Sequence, residues 1–154
     1  MNLRAPNYSR LRICGRLLVV EGAVLLVVAA IHLAVIPALK AVLARQLTAS
    51  QMLQVWPPFL LNHAVVGVLL IPLGVSTIYA GLHVARHQRW AYRIALLNAL
   101  TVMALPVVLF LAMDLRQFRA VPFLIAASLV CAAAISMIWP LLWVRPEFGD
   151  DVMG

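Results

Sequence analysis

Apolar residues in this chain come in long unbroken runs, with the polar positions gathered between them. Four runs stand out, at residues 17–39, 59–84, 91–113 and 121–144. Each supplies at least the roughly 20 residues that a helix rising 1.5 Å per residue needs to cross about 30 Å of hydrocarbon. Strands of a membrane barrel would alternate apolar and polar positions over short segments, and these runs do not. The pattern predicts an all-α fold: an integral membrane bundle of four transmembrane helices, up-down-up-down, forming a single domain over residues 1–154.

The longest connection, KAVLARQLTASQMLQVW, keeps a helical pattern of its own, with apolar Val42, Leu43, Leu47, Met52, Leu53 and Trp56 among polar residues. It suits a short interfacial helix between the first two spans, or a continuation of the first. Pro37 is expected to bend the chain at its start and Pro57-Pro58 to end it.

Composition agrees with the pattern. The chain is 65% hydrophobic and only 11% charged, with a mean hydropathy of +1.02, whereas soluble domains are about 25% charged. The first run follows several arginines but exceeds the roughly 7–15 apolar residues of a secretory signal, so it reads as a retained helix. Eight arginines, at 4, 10, 12, 16, 86, 89, 93 and 145, fall on one side of the four-span arrangement, against Lys40, Arg45, Arg116 and Arg119 on the other. The positive-inside rule then places both termini in the cytoplasm of a multi-pass protein, with a bacterial inner membrane as the expected location. Trp90, Tyr92, Trp139 and Trp143 would form the cytoplasmic aromatic belt and Trp56 the opposite one.

The net charge of +7 points to anionic membrane lipid rather than nucleic acid, because the cations flank helix ends and no recognition motif accompanies them. The tail EFGDD reads as a solvated end. Cys14, before the first span, and Cys131, in the middle of the fourth, differ too much in depth to form a disulfide.

Packing signals concentrate in the second span. Residues 63, 67, 74 and 81 fall within roughly 40° of one another on a helix, so His63 heads a stripe of Gly67, Gly74 and Gly81. Glycines let backbones approach, and membrane helices associate by such contact. The row Ser128, Ala132 and Ser136 on the fourth span is the expected partner. Pro72 and Pro106 each remove a helical hydrogen bond and imply kinks.

Candidate chemistry rests on His32 and His63, since polar side chains inside a bilayer usually face a partner. Antiparallel spans bring the two to the same depth, with Asp114 the nearest acidic residue. An interhelical hydrogen bond, to each other, to Asn62 or to a backbone carbonyl, is one reading. Axial ligation of b-type haem is a second. A quinone or lipid-headgroup pocket, with a histidine donating to a carbonyl, is a third. Zinc wants three or four ligands, and only Asp114 could supply a third, so no metal site is assigned. Glu21, Tyr79, His83 and Asn98 form a second polar layer read as structural or interfacial, and His87 falls in the basic loop.

No GxSxG, HExxH, P-loop or CxxC motif is present, so no catalytic residue is assigned and a non-enzymatic role is expected. The first functional reading is a non-catalytic subunit or interaction protein that packs with other membrane proteins or with itself. The alternatives are a b-type haem or quinone-binding protein using His32 and His63, and a small carrier.

Overall fold

The computed structural model describes residues 7–112 and 121–149. The chain forms α1 (Tyr8–Ala34), α2 (Ile36–Gln46), α3 (Ala49–Val84), α4 (Arg89–Ala112) and α5 (Val121–Val144), followed by a 3₁₀ turn at Arg145–Glu147. It is all-helical, with no strand among the described residues. Helices α1, α3, α4 and α5 are long and apolar enough to span a membrane. Asp114, Arg116 and Arg119, as well as Arg4 and the two terminal aspartates, lie outside the described residues.

Three boundaries differ clearly from expectation, the first being the end of α1, at Ala34 rather than Leu39. Helix α1 begins at Tyr8, so Arg10, Arg12 and Arg16 stand on its first turns and Cys14 is a fully buried helical residue rather than one preceding the helix. Helix α3 begins at Ala49 and continues through Pro57 and Pro58 instead of starting after them. Its start is a capping box: the Thr48 amide donates to Gln51 Oε1 at 3.0 Å, and the Gln51 amide donates back to Thr48 Oγ1 at 3.4 Å. Proline's fixed φ suits a helix, and the carbonyls that Pro57 and Pro58 leave unbonded belong to Leu53 and Gln54, both exposed, where polar surroundings can satisfy them. Near Pro37, which lies in the first turn of α2, the helical pattern is interrupted only at Val35, whose φ of −76° and ψ of −17° are themselves helical.

The chain divides into two compact units, Gly22–Val75 and Met1–Glu21 with Ser76–Gly154. In the first, α1 and α3 run antiparallel in close contact. A Cβ on Gly74 would lie 2.8 Å from the Gly22 carbonyl oxygen, and one on Gly67 would meet Leu33 at 2.7 Å and the Ala29 carbonyl at 3.4 Å. Gly22 and Ala29 are seven residues apart, as are Gly67 and Gly74, so two small-residue rows meet in register. The glycine row of α3 therefore packs on α1.

In the second unit a Cβ on Gly81 would lie 2.7 Å from the Gly15 carbonyl oxygen. Helices α3 and α4 form an antiparallel hairpin closed by a Schellman turn, in which the Gln88 amide bonds the His83 carbonyl at 3.2 Å and the His87 amide bonds the Val84 carbonyl at 2.9 Å. His87 occupies the left-handed position usually taken by glycine, with φ 59°. A contact with the C-terminal segment holds it there: its Nε2 donates to the Glu147 carbonyl at 2.6 Å. Phe148 is buried against Tyr92, at 4.6 Å between ring centroids, and His87, at 5.0 Å. The Glu147 carboxylate accepts the Asn7 amide at 2.8 Å and lies 3.9 Å from Arg10, a favourable place for negative charge at the start of α1. Glu147 and Phe148 thus tie the tail to the helix ends, which corrects its reading as a solvated end, and His87 is a structural residue rather than merely a loop cation.

Helix α5 buries Ala134, Met137, Leu141 and Val144, and the Tyr92 hydroxyl of α4 donates to the Leu141 carbonyl at 3.3 Å. On its other side Ser128 and Ala132 are exposed, and half-buried Ser136 turns its hydroxyl back to the Ala133 carbonyl at 2.9 Å.

Candidate functional site

His32 and His63 both belong to the Gly22–Val75 unit. The antiparallel register that pairs Gly22 with Gly74 and Ala29 with Gly67 carries on to bring these two rings side by side, 5.8 Å apart at centroids and tilted by 36°. Both side chains are half-buried.

Neither ring is held by the opposite helix. His32 Nδ1 lies 3.0 Å from the carbonyl of Val28, and His63 Nδ1 lies 3.2 Å from that of Phe59, each one turn back on its own helix. A carbonyl can only accept, so both Nδ1 atoms are donors, and in the neutral imidazole this leaves each Nε2 with a lone pair. The bonds to carbonyls expected between helices are bonds within helices. Such a pair can ligate a metal ion or accept a hydrogen bond from a hydroxyl.

Aromatic rings extend the site along α3. Phe59 stacks on His63 at 4.3 Å, Trp56 follows Phe59 at 6.3 Å, and Lys40 of α2 places its Nζ 5.8 Å over the Trp56 ring. Asn62 is exposed, and Asp114 lies outside the described residues. Among the described residues no three His, Cys, Asp or Glu side chains gather as a metal site would require.

The second polar layer belongs to the other unit and divides into two parts. Asn98 is buried, and its Nδ2 donates to Ser76 Oγ at 2.9 Å and Thr77 Oγ1 at 3.0 Å. Ser76 and Thr77 escape the sequence reading, although they lie seven to eight residues before the end of α3 and Asn98 nine after the start of α4, a depth match that a hairpin makes readable. The other part is a cluster of rings in which His83 sits 4.5 Å from Tyr79 and 4.9 Å from Trp90. Glu21 is half-buried.

Four helices long and apolar enough to cross a membrane mark a small multi-pass membrane protein. Compared with protein-family models, with curated proteins and with solved structures, the chain matches none.

Proposed function

We propose that this protein is a non-catalytic membrane subunit that associates, with a second copy or with another membrane protein, through the outward face of α5. The observation that carries this reading is that Ser128 and Ala132 are exposed on the side of α5 opposite its buried Ala134, Met137, Leu141 and Val144. Beside them Phe110, Cys131 and Ile135 frame a shallow groove of about 400 Å³. The same device, a small-residue row meeting another helix, already joins α1 to α3 inside the chain, and in a bilayer it is van der Waals contact of this kind that holds helices together.

The test is sedimentation of the protein in detergent micelles, alone and purified with its membrane neighbours. Ala132→Leu should release the assembly while Leu129→Ile leaves it intact. An assembly unaffected by Ala132→Leu refutes the α5 interface. The same reading keeps both termini in the cytoplasm, on the charge asymmetry: reporters fused after Gly154 or inserted near Gln88 should report cytoplasm, and one near Ala49 the outside.

A second reading rests on the 5.8 Å approach of His32 and His63. Their two Nε2 lone pairs can each accept from a quinol hydroxyl, whereas b-type haem between the two rings would require α1 and α3 to part from the contact at Gly67, Leu33 and Ala29. A low-spin haem spectrum in the purified protein, lost in both His32→Ala and His63→Ala, supports the haem form. For the quinol form, quinol should raise the melting temperature of the wild type and not of either variant.

A further inference from the structure

The first turns of α1 and the last turns of α3, both within the unit formed by Met1–Glu21 and Ser76–Gly154, enclose a groove of about 430 Å³. Its floor exists because Gly15 and Gly81 bring the two backbones together without side chains between them. Val20 and Leu82, 59% and 52% exposed, form apolar walls, and Arg12 and Arg16 stand at the rim. The arginines are one helical turn apart and therefore on the same face of α1.

Their charge has no counterpart within the described residues. The only carboxylates there are Glu21 and Glu147, and Glu147 is engaged by Arg10 and the Asn7 amide. Neither Arg12 nor Arg16 pairs with a carboxylate among the described residues. Arg12 uses Nε on the Tyr8 carbonyl at 3.4 Å, which holds the side chain along its helix and leaves the terminal guanidinium nitrogens for a ligand.

We propose that this groove binds an anionic phospholipid, with the phosphodiester between Arg12 and Arg16 and an acyl chain lying over Gly15 and Gly81 between Val20 and Leu82. Two guanidinium forks match phosphate oxygens in charge and geometry. An apolar slot leading away from a cationic rim, beginning at a helix end, fits a molecule that is charged at one end and hydrocarbon at the other. A soluble anion would use the rim alone.

Native mass spectrometry of the full-length protein in detergent micelles tests this, with phosphatidylglycerol, phosphatidylcholine and inorganic phosphate as separate probes. Phosphatidylglycerol should be retained well above phosphatidylcholine, and inorganic phosphate should not be retained. Replacing both residues, Arg12→Gln with Arg16→Gln, should weaken phosphatidylglycerol binding by about tenfold or more. The control pair Arg86→Gln with Arg89→Gln, which removes the same charge elsewhere on exposed residues, should change it less than twofold. Leu82→Trp, which keeps the charge and fills the groove, should also lower retention, and circular dichroism verifies that each variant is helical. Equal loss in the control pair, retention of phosphatidylcholine at the level of phosphatidylglycerol, or binding of inorganic phosphate as strong as that of the lipid would each overturn the proposal. If the double variant does not fold, the lipid comparison on the wild type and on Leu82→Trp decides it.

Discussion

Two rows of small residues run along helices of this protein, and they end up in opposite situations. On α3, Gly67 and Gly74 press against Ala29 and Gly22 of α1 so closely that an added Cβ has no room. On α5, Ser128 and Ala132 face outward. Composition does not separate the two rows, since both would let a neighbouring backbone approach. The difference is that α1 carries a complementary row at the same seven-residue spacing, in antiparallel register, whereas α5 buries its opposite side of Ala134, Met137, Leu141 and Val144. A small-residue row becomes a joint only where a second row meets it, and the row left unmet is where association with another chain is to be sought.

The largest effect should come from crowding the closed row. Gly74→Leu places a side chain where the Gly22 carbonyl oxygen lies 2.8 Å from Cβ, so the variant should fail to reach a stable fold in detergent. Its neighbour Val75→Leu, 53% exposed, should stay within about 0.5 kcal/mol of the wild type. Equal melting behaviour of the two would mean that the α1–α3 joint is not closed.

Next in size is the tail. Phe148 is 1% exposed, and truncating a buried phenylalanine costs about 3–5 kcal/mol; Phe148→Ala should approach that range in denaturation and free the C-terminus to limited proteolysis. A tail that is already cleaved as fast in the wild type would show that Glu147 and Phe148 do not hold it.

Polar groups inside the helices should contribute less than either. Asn98→Leu removes two hydrogen bonds, to Ser76 and Thr77, and should lower stability by about 1–2 kcal/mol. His63→Gln should cost less, about 0.5–1 kcal/mol, since the histidine bonds only its own helix. A reversed order of these two losses would make the histidine pair the structural element and Asn98 the dispensable one.

Much of this architecture is legible in the sequence because hydrocarbon thickness imposes a length on any apolar span. The run 121–144 coincides with α5, and the run 91–113 is within two residues of α4 at each end. The runs mark where lipid contact begins, however, not where helices begin. Helix α1 extends nine residues earlier, over alternating arginines and apolar residues, and α3 starts at a capping box formed by Thr48 and Gln51. Proline is read from sequence as a helix end, yet Pro57-Pro58 lies inside α3, and the residues whose carbonyls it leaves unbonded, Leu53 and Gln54, are exposed. The matching depth of His32 and His63 follows from counting residues along antiparallel spans. Their tautomers do not, since these depend on which carbonyl each ring reaches. The partner of the glycine row was readable in Gly15, Gly22 and Ala29, at the same spacing of seven. Contacts such as His87 with Glu147 join residues sixty apart and carry no local signal.

The smallest effect on the folded chain should come from the open row, where Ala132→Leu is expected to change monomer stability by no more than about 0.5 kcal/mol. Its consequence should appear in association. Cys131 lines the groove beside Ala132 as a free, half-buried thiol, whereas the other cysteine, Cys14, is buried. Mild oxidation or a short bifunctional thiol reagent, applied to the protein in its native membrane, therefore probes the α5 face directly. A covalent dimer, or an adduct with another membrane subunit, should form through Cys131, disappear in Cys131→Ser and diminish in Ala132→Leu. Monomer alone under those conditions, with Cys131 shown to be reactive toward a monofunctional maleimide, would contradict an interface on α5.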